Sequence, residues 1–127
     1  MSIEALESLY WDDIEFDSYV VRTAQAARKK PLSQLSKEEI RLLISQKIGL
    51  KYVIPRAIAI LEQDPLIEVN YYEGDLLSNM LHLSLDDWSV NHDELRSFQM
   101  LLEKNKDLIL GIEEISSDLV EKVLSWR

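Results

Sequence analysis

The sequence has 127 residues, contains no cysteine, and carries 23 acidic against 14 basic side chains, for a formal charge of −9. The absence of cysteine excludes disulfides, thiolate metal sites and cysteine nucleophiles, and it suits a reducing compartment. The acidic balance argues against nucleic-acid binding, and no apolar run approaches the ~20 residues of a membrane span. A chain of this length predicts a single domain over residues 1–127.

The charge is distributed in blocks. Residues 1–20 carry six acids and no bases, residues 21–60 sum to +7, residues 61–90 carry seven acids and no bases, and residues 91–127 sum to −3. Such runs are commonly solvated faces, but an acidic surface also steers basic partners toward it. The two acidic blocks are therefore candidate surfaces for a basic partner.

The sequence pattern of the N-terminal part of the chain predicts two helices. Apolar residues at helical spacing predict a first helix over residues 3–10. Asp17 or Ser18 is a candidate N-cap for a second helix. Its predicted end lies near Lys29 and Lys30, since cationic side chains stabilise a helix C-terminus. Only three glycines and three prolines interrupt the whole chain, which favours an all-helical fold.

Two further helices are predicted in the middle of the chain. Ser36 and Glu39 have the spacing of a capping box, and Gly49 is the predicted left-handed residue that ends the helix they open. The next helix runs to about residue 63 from either residue 50 or residue 54, because Pro55 leaves its start open. Its apolar residues surround most of the helix, which predicts a central, buried position.

The remaining chain predicts a loop and more helices. Residues 65–74 are predicted as a structured loop, and Asp75 as the N-cap of the following helix. Asn91 is a candidate cap for another helix, and Ser116 or Ser117 opens the last one. The sequence therefore predicts an all-α fold, a compact single domain of about six to eight helices.

Motifs for catalysis or for cofactor binding are absent. His82 and His92 have no third ligand at a metal-binding spacing, and the glycines form no phosphate-binding loop. The serines lie in no nucleophile elbow. Adjacent carboxylates such as Asp86 and Asp87 point about 100° apart on a helix and rarely share a site. No catalytic residue, cofactor site or metal site is predicted.

Residues 71–75, Tyr-Tyr-Glu-Gly-Asp, place two aromatic side chains beside two carboxylates just before a helix. Tyrosine offers rigid apolar area with a polar tip, which suits the centre of a protein interface, and carboxylates beside it can pair with Lys or Arg. The alternative is structural. Either tyrosine could fill the core, Gly74 could supply a turn, and Asp75 could serve only as a helix cap.

Four segments in a fixed order resemble a known bacterial family. Residues 31–50 contain PL-x-x-L followed by RLLI-x-Q-x-IGL, residues 52–55 read YVIP, residues 64–66 read DPL, and residues 71–77 read YY-x-GDLL. Over about residues 31–88 the chain resembles the CdiI-like immunity proteins of contact-dependent growth inhibition (CDI), which occur beside polymorphic toxins.

The resemblance implies a small cytoplasmic protein that binds the C-terminal toxin domain of a CdiA-type effector. Such toxin domains are often nucleases, which act on tRNA or DNA. The immunity protein would block the toxin's active site or its substrate-binding face, and the family has no catalytic residues to carry over. A basic nuclease groove and an acidic inhibitor are complementary in charge.

The charge blocks and the tyrosine-containing loop give the candidate contact residues. The toxin-binding candidates are Glu68, Tyr71, Tyr72, Glu73, Asp86 and Asp87, followed by Asp12, Asp13, Glu15 and Asp17. Two rival functions stay open at this point, an acidic adaptor for another basic protein and an acid/base hydrolase with a carboxylate-lined cleft. We expect no nucleic-acid partner and no membrane partner, and the oligomeric state is left open.

Overall fold

The computed structural model describes residues 1–7 and 19–126, and within these ranges the chain forms eight α-helices and no strand. The helices, in chain order, are α1 (Ile3–Glu7), α2 (Tyr19–Lys29), α3 (Lys37–Ser45), α4 (Leu50–Gln63), α5 (Asp75–Leu81), α6 (His92–Lys104), α7 (Lys106–Leu110) and α8 (Ser117–Ser125). The predicted all-α class is confirmed. In the ranges described, none of the helices has both the length and the apolar character that a membrane crossing requires. The candidate caps Asp17 and Ser18 lie outside the described residues.

Helices α3 and α4 lie at the centre of the packing. Helix α3 packs against α2, α4 and α5, while α4 also packs against α6, which in turn contacts α7 and α8. The buried residues of α4 are Val53, Ile54, Ala57, Ile58 and Leu61. The other side of α4 reaches the surface at residues such as Pro55 and Ala59. The predicted central position is confirmed, although the buried surface of this helix is one-sided.

An aromatic pair anchors the turn between α5 and α6 to the core. Trp88, in that turn, and Phe98, in α6, are fully buried, and their ring centroids lie 5.2 Å apart in a stacked arrangement. Large aromatic side chains contribute strongly to core stability through their buried area. Because Trp88 follows Asp86 and Asp87 directly, the segment that carries these two candidate residues is held against the domain.

Helix α3 begins as the sequence predicts but ends differently. Ser36 and Glu39 form the predicted capping box, with each side chain accepting a hydrogen bond from the backbone of the other. The left-handed residue after α3 is Lys47, at φ 57°, and not Gly49. The Lys47 N–H donates to the Ile44 carbonyl and the next N–H donates to the Leu43 carbonyl, which is a Schellman motif. Gly49, at φ 61°, is instead the N-cap of α4.

Pro55 lies inside α4, and a side chain from a distant turn compensates for its missing N–H. A proline in a helix leaves the carbonyl four residues earlier without its usual donor. That carbonyl belongs to Lys51, and it accepts a hydrogen bond of 3.2 Å from the side-chain amide of Asn91. Asn91 stands at the predicted N-cap position of α6, but its side chain makes no capping hydrogen bond. Its role is therefore to connect the start of α6 to α4.

Candidate functional site

The loop between α4 and α5, residues 65–74, is named here the tyrosine loop. An isolated antiparallel bridge pairs Glu68 with Glu73, and the Gly74 N–H donates to the carbonyls of Leu66 and Ile67 at 3.1 and 3.2 Å. Gly74 has a φ of 85°, and a Cβ there would lie 2.9 Å from Ile115 Cδ1. The loop therefore closes on itself through its backbone, and its last position requires glycine.

The carboxylate of Asp75 fixes the backbone of the tyrosine loop through hydrogen bonds. Its side chain is buried, and Oδ1 accepts hydrogen bonds from the N–H groups of Val69 and Leu76 at 2.9 and 2.8 Å. The other oxygen, Oδ2, accepts from the N–H groups of Asn70 and Tyr71 at 2.8 and 3.0 Å. Three successive loop amides thus share one carboxylate.

Ionisation of Asp75 is favoured by this arrangement. Burial of the carboxylate opposes ionisation, but the four backbone N–H donors outweigh burial and place the pKa of Asp75 below its ordinary value of 3.8. Asp75 is the first residue of α5, and Gly74 occupies the N-cap position predicted for it. The prediction of a simple cap is wrong, because the side chain mainly organises the loop before the helix.

Arg41, on α3, lies under the same loop. It is a buried residue, and its Nε donates to Asn70 Oδ1 at 2.6 Å while Nη1 donates to Asn79 Oδ1 at 3.1 Å. The guanidinium carbon lies 4.8 Å from the centre of the Tyr71 ring, within the range of a cation–π contact. Arg41 thereby joins α3, the tyrosine loop and α5 through neutral acceptors and one aromatic ring.

The structure separates the two tyrosines of the loop. Tyr71 is 73% exposed, although one side of its ring contacts Arg41. Tyr72 is half-buried, and its backbone carbonyl accepts the N–H of the first residue of α5. Glu68 and Glu73 are exposed. Four of the predicted contact residues therefore share one loop, and Tyr71 is the exposed aromatic among them.

The turn between α5 and α6 contains the next two candidates, which differ in their surroundings. Asp87 Oδ2 accepts from the Ser84 N–H at 2.8 Å and from Lys47 Nζ at 3.0 Å, while Ser84 Oγ accepts from the Asp87 N–H. Burial opposes ionisation of Asp87, but these hydrogen bonds place its pKa below the ordinary value. Asp87 is thus engaged in local structure, whereas Asp86 is exposed beside the half-exposed Leu85.

The candidates of the N-terminal acidic block lie outside the described residues. These candidates are Asp12, Asp13, Glu15 and Asp17. Their part in any contact stays a prediction.

Sequence reasoning did not find the residues that organise the tyrosine loop. Arg41 precedes Ile44 by three positions and Ile48 by seven, so helical spacing places it on the same side of the helix as these apolar residues. A charged residue on a buried face indicates a specific partner inside the protein. That pattern was available in the sequence. The fourfold hydrogen bonding of Asp75 depends on the path of the preceding loop, which no local pattern indicates.

Among the residues that the structure describes, two surface grooves along α6 each contain one carboxylate. One, of about 420 Å³, contains Glu62 as its acidic residue, and the other, of about 530 Å³, contains Glu103. No cluster of three or more potential metal ligands occurs within residues 1–7 and 19–126.

Comparison with protein families matches residues 5–98 to the CDI immunity proteins. The chain belongs to this family. A CDI immunity protein neutralises a toxin of contact-dependent growth inhibition. The match confirms the resemblance seen over residues 31–88 and extends it to residues 5–98. The matched region of this CDI immunity protein includes the tyrosine loop and the turn before α6, while α7 and α8 follow it. Comparison with curated proteins finds no match.

Proposed function

We propose that this CDI immunity protein neutralises its toxin by covering the toxin's active site or substrate-binding face with an acidic surface. The surface consists of the tyrosine loop and the turn before α6, and its proposed contacts are Glu68, Tyr71, Tyr72, Glu73, Asp86 and Asp87. The observation that carries the proposal is the exposed Tyr71, held on a closed loop between two exposed glutamates. Exposed aromatic side chains are enriched at the centres of protein interfaces, and charged side chains such as these glutamates are typical of the surrounding rim.

The proposed target is a nuclease domain with a basic groove. A nuclease must bind the phosphates of its substrate with cationic side chains. Residues 61–90 carry no base, and five of their seven acids are exposed, so this segment can compete for the same cations. Electrostatic steering raises association rates by about 10- to 1000-fold, which favours capture of the toxin before it cleaves its substrate. The proposed place of action is the cytoplasm, where such substrates lie.

The proposed contact extends beyond the tyrosine loop. A stable interface covers about 800 Å² on each partner, with roughly 20–30 residues a side. Six residues fall short of this area, so the N-terminal acidic block is the proposed second part of the surface. Its contact residues would be Asp12, Asp13, Glu15 and Asp17. This block carries no base among its 20 residues, which matches the charge of the first part.

Charge reversal at three exposed positions tests the proposal. The test variant combines Glu68→Lys, Glu73→Lys and Asp86→Lys, which omits Asp87 because its carboxylate supports the turn. We expect the association rate with the cognate toxin domain to fall at least about 10-fold, and protection of cells to be lost. Binding is measured by surface plasmon resonance, after circular dichroism has shown that the helices are intact.

The matched control reverses the same number of charges elsewhere. Glu103→Lys, Glu113→Lys and Asp118→Lys change exposed residues of α6, the loop after α7, and α8. This control keeps the net charge of the test variant while leaving the proposed surface unchanged. Equal losses of affinity in both variants would show a general charge effect, and no loss in the test variant would place the contact on another surface.

A further inference from the structure

Tyr71 combines high exposure with a fixed position. Its side chain is 73% exposed, yet Arg41 lies under one face of the ring, with 4.8 Å between the guanidinium carbon and the ring centre. The hydrogen bonds from Arg41 to Asn70 and Asn79 keep the guanidinium in place. One face of the phenol is therefore supported from inside the protein, and the other side of the ring is available to a partner.

The backbone that carries Tyr71 is fixed independently of its ring. The Tyr71 N–H donates to Asp75 Oδ2, and the two preceding amides donate to the same carboxylate. The bridge between Glu68 and Glu73 closes the loop at its base. Backbone and ring are thus both ordered in the unbound protein, which reduces the entropy that binding must remove.

We infer that Arg41 and Asp75 are positioning residues, which hold Tyr71 in its binding geometry before the toxin arrives, and that Tyr71 enters an apolar pocket with Lys or Arg at its rim on the toxin domain. This inference rests on the proposed function and adds the chemistry of the partner's site. A phenol ring needs an apolar pocket to lose its water favourably. The exposed Glu68 and Glu73 beside it need cationic partners at the edge of that pocket.

A double-mutant cycle between Tyr71 and Arg41 tests the positioning role. We expect Tyr71→Ala to weaken binding of the cognate toxin domain at least about 30-fold, as the loss of an interface anchor does. Arg41→Lys keeps the charge but cannot form both planar hydrogen bonds and the ring contact. It should weaken binding roughly 3- to 10-fold in the unmodified chain and less than about 2-fold when Tyr71 is already alanine.

Two single variants serve as matched controls. Met100→Ala removes another large side chain that is 73% exposed, and Arg96→Lys makes the same exchange as Arg41→Lys on the exposed part of α6. Both should bind the toxin domain within about 2-fold of the unmodified chain, because both residues lie on α6, outside the proposed contact surface.

Amide hydrogen exchange of the unbound chain gives a readout that needs no toxin. The amides of Asn70 and Tyr71 should be protected in the unmodified chain, and Asp75→Asn should release that protection while α4 stays protected. Unprotected amides in the unmodified chain would overturn the inference, whatever the toxin does. This measurement also remains informative if Asp75→Asn lowers stability, because exchange in α4 reports the global fold separately.

The binding outcomes separate the inference from the proposed function. A chain that fails to bind the toxin domain would refute the proposed function, and the inference would fail with it. Unchanged affinity in Tyr71→Ala, with a chain that binds, would overturn the anchor and leave the family function intact. Equal effects of Arg41→Lys in both backgrounds would show that Arg41 acts independently of the ring, which contradicts its positioning role.

Discussion

Replacement of Asp75 by asparagine tests the hydrogen bonding that organises the tyrosine loop. The buried carboxylate accepts four backbone N–H bonds of 2.8 to 3.0 Å. Asparagine has one oxygen, which can keep two of these bonds, and its amide nitrogen is a donor that faces the other two N–H groups. The N–H groups of Asn70 and Tyr71 are part-buried, so each should cost near the lower end of the roughly 1–3 kcal/mol of a buried donor without an acceptor. We therefore expect a loss of about 2–3 kcal/mol in the free energy of unfolding.

Urea denaturation as a function of pH measures this loss. Because the folded-state pKa of Asp75 lies below 3.8, its carboxylate contributes its full stabilisation above pH 3.8 and loses it as the pH falls through the folded-state pKa. The stability gap between the unmodified chain and Asp75→Asn should therefore be constant near neutral pH and narrow below pH 3.8. Asp86→Asn makes the same exchange at an exposed residue and should change stability by less than about 0.5 kcal/mol.

Two results would refute this reasoning about Asp75. A gap below about 1 kcal/mol at neutral pH would mean that the loop amides find other acceptors, such as water, at little cost. A gap that narrows well above pH 3.8 would mean that the carboxylate is not stabilised in its ionised form.

Three further substitutions test other contacts, each by thermal or urea denaturation. Gly49→Ala should lower the free energy of unfolding by about 1–3 kcal/mol, because a left-handed backbone disfavours a Cβ and this Cβ would also lie 2.7 Å from Ile3 Cγ2. Gly111→Ala is the control, because Gly111 has a negative φ, and it should be nearly neutral. Asn91→Ala should cost about 1–3 kcal/mol through the carbonyl left without a donor in α4, and a smaller loss than about 0.5 kcal/mol would contradict that role. Asp87→Asn should lower the free energy of unfolding by about 1–2 kcal/mol at neutral pH, and this loss should shrink below pH 3.8 as the native carboxylate becomes protonated. A loss that is independent of pH would show that the ionised form of Asp87 is not its source.

The sequence predicts the helices well because the responsible interactions are local. The capping box involves residues three apart, Ser36 and Glu39, and the structure contains both of its hydrogen bonds. The error at Gly49 has a simple cause. Glycine is the usual left-handed residue after a helix, but here Lys47 adopts that conformation two residues earlier, where its side chain forms the ion pair with Asp87. That ion pair depends on a turn 40 residues away, which a local pattern cannot include.

The candidate site shows the same division between local and distant interactions. The composition and charge of the loop predict Tyr71, Glu68 and Glu73 as contact residues, and all three are exposed in the structure. The residues that hold the loop are not predicted correctly, because Arg41 lies 29 and 38 positions before its partners and Asp75 accepts hydrogen bonds from the chain that precedes it. Buried polar side chains of this kind are defined by the tertiary fold, so their roles cannot be read from propensity or spacing alone.

A titration of the cognate toxin domain with this chain at two salt concentrations, with the toxin's activity read in the same samples, tests the central claim most directly. We expect tight binding that weakens as salt rises and a toxin that is inactive when bound, because the proposed contact joins an acidic surface to a basic groove. Tight binding that is independent of salt, or a bound toxin that stays active, would contradict an acidic surface that covers the toxin's active site or substrate-binding face.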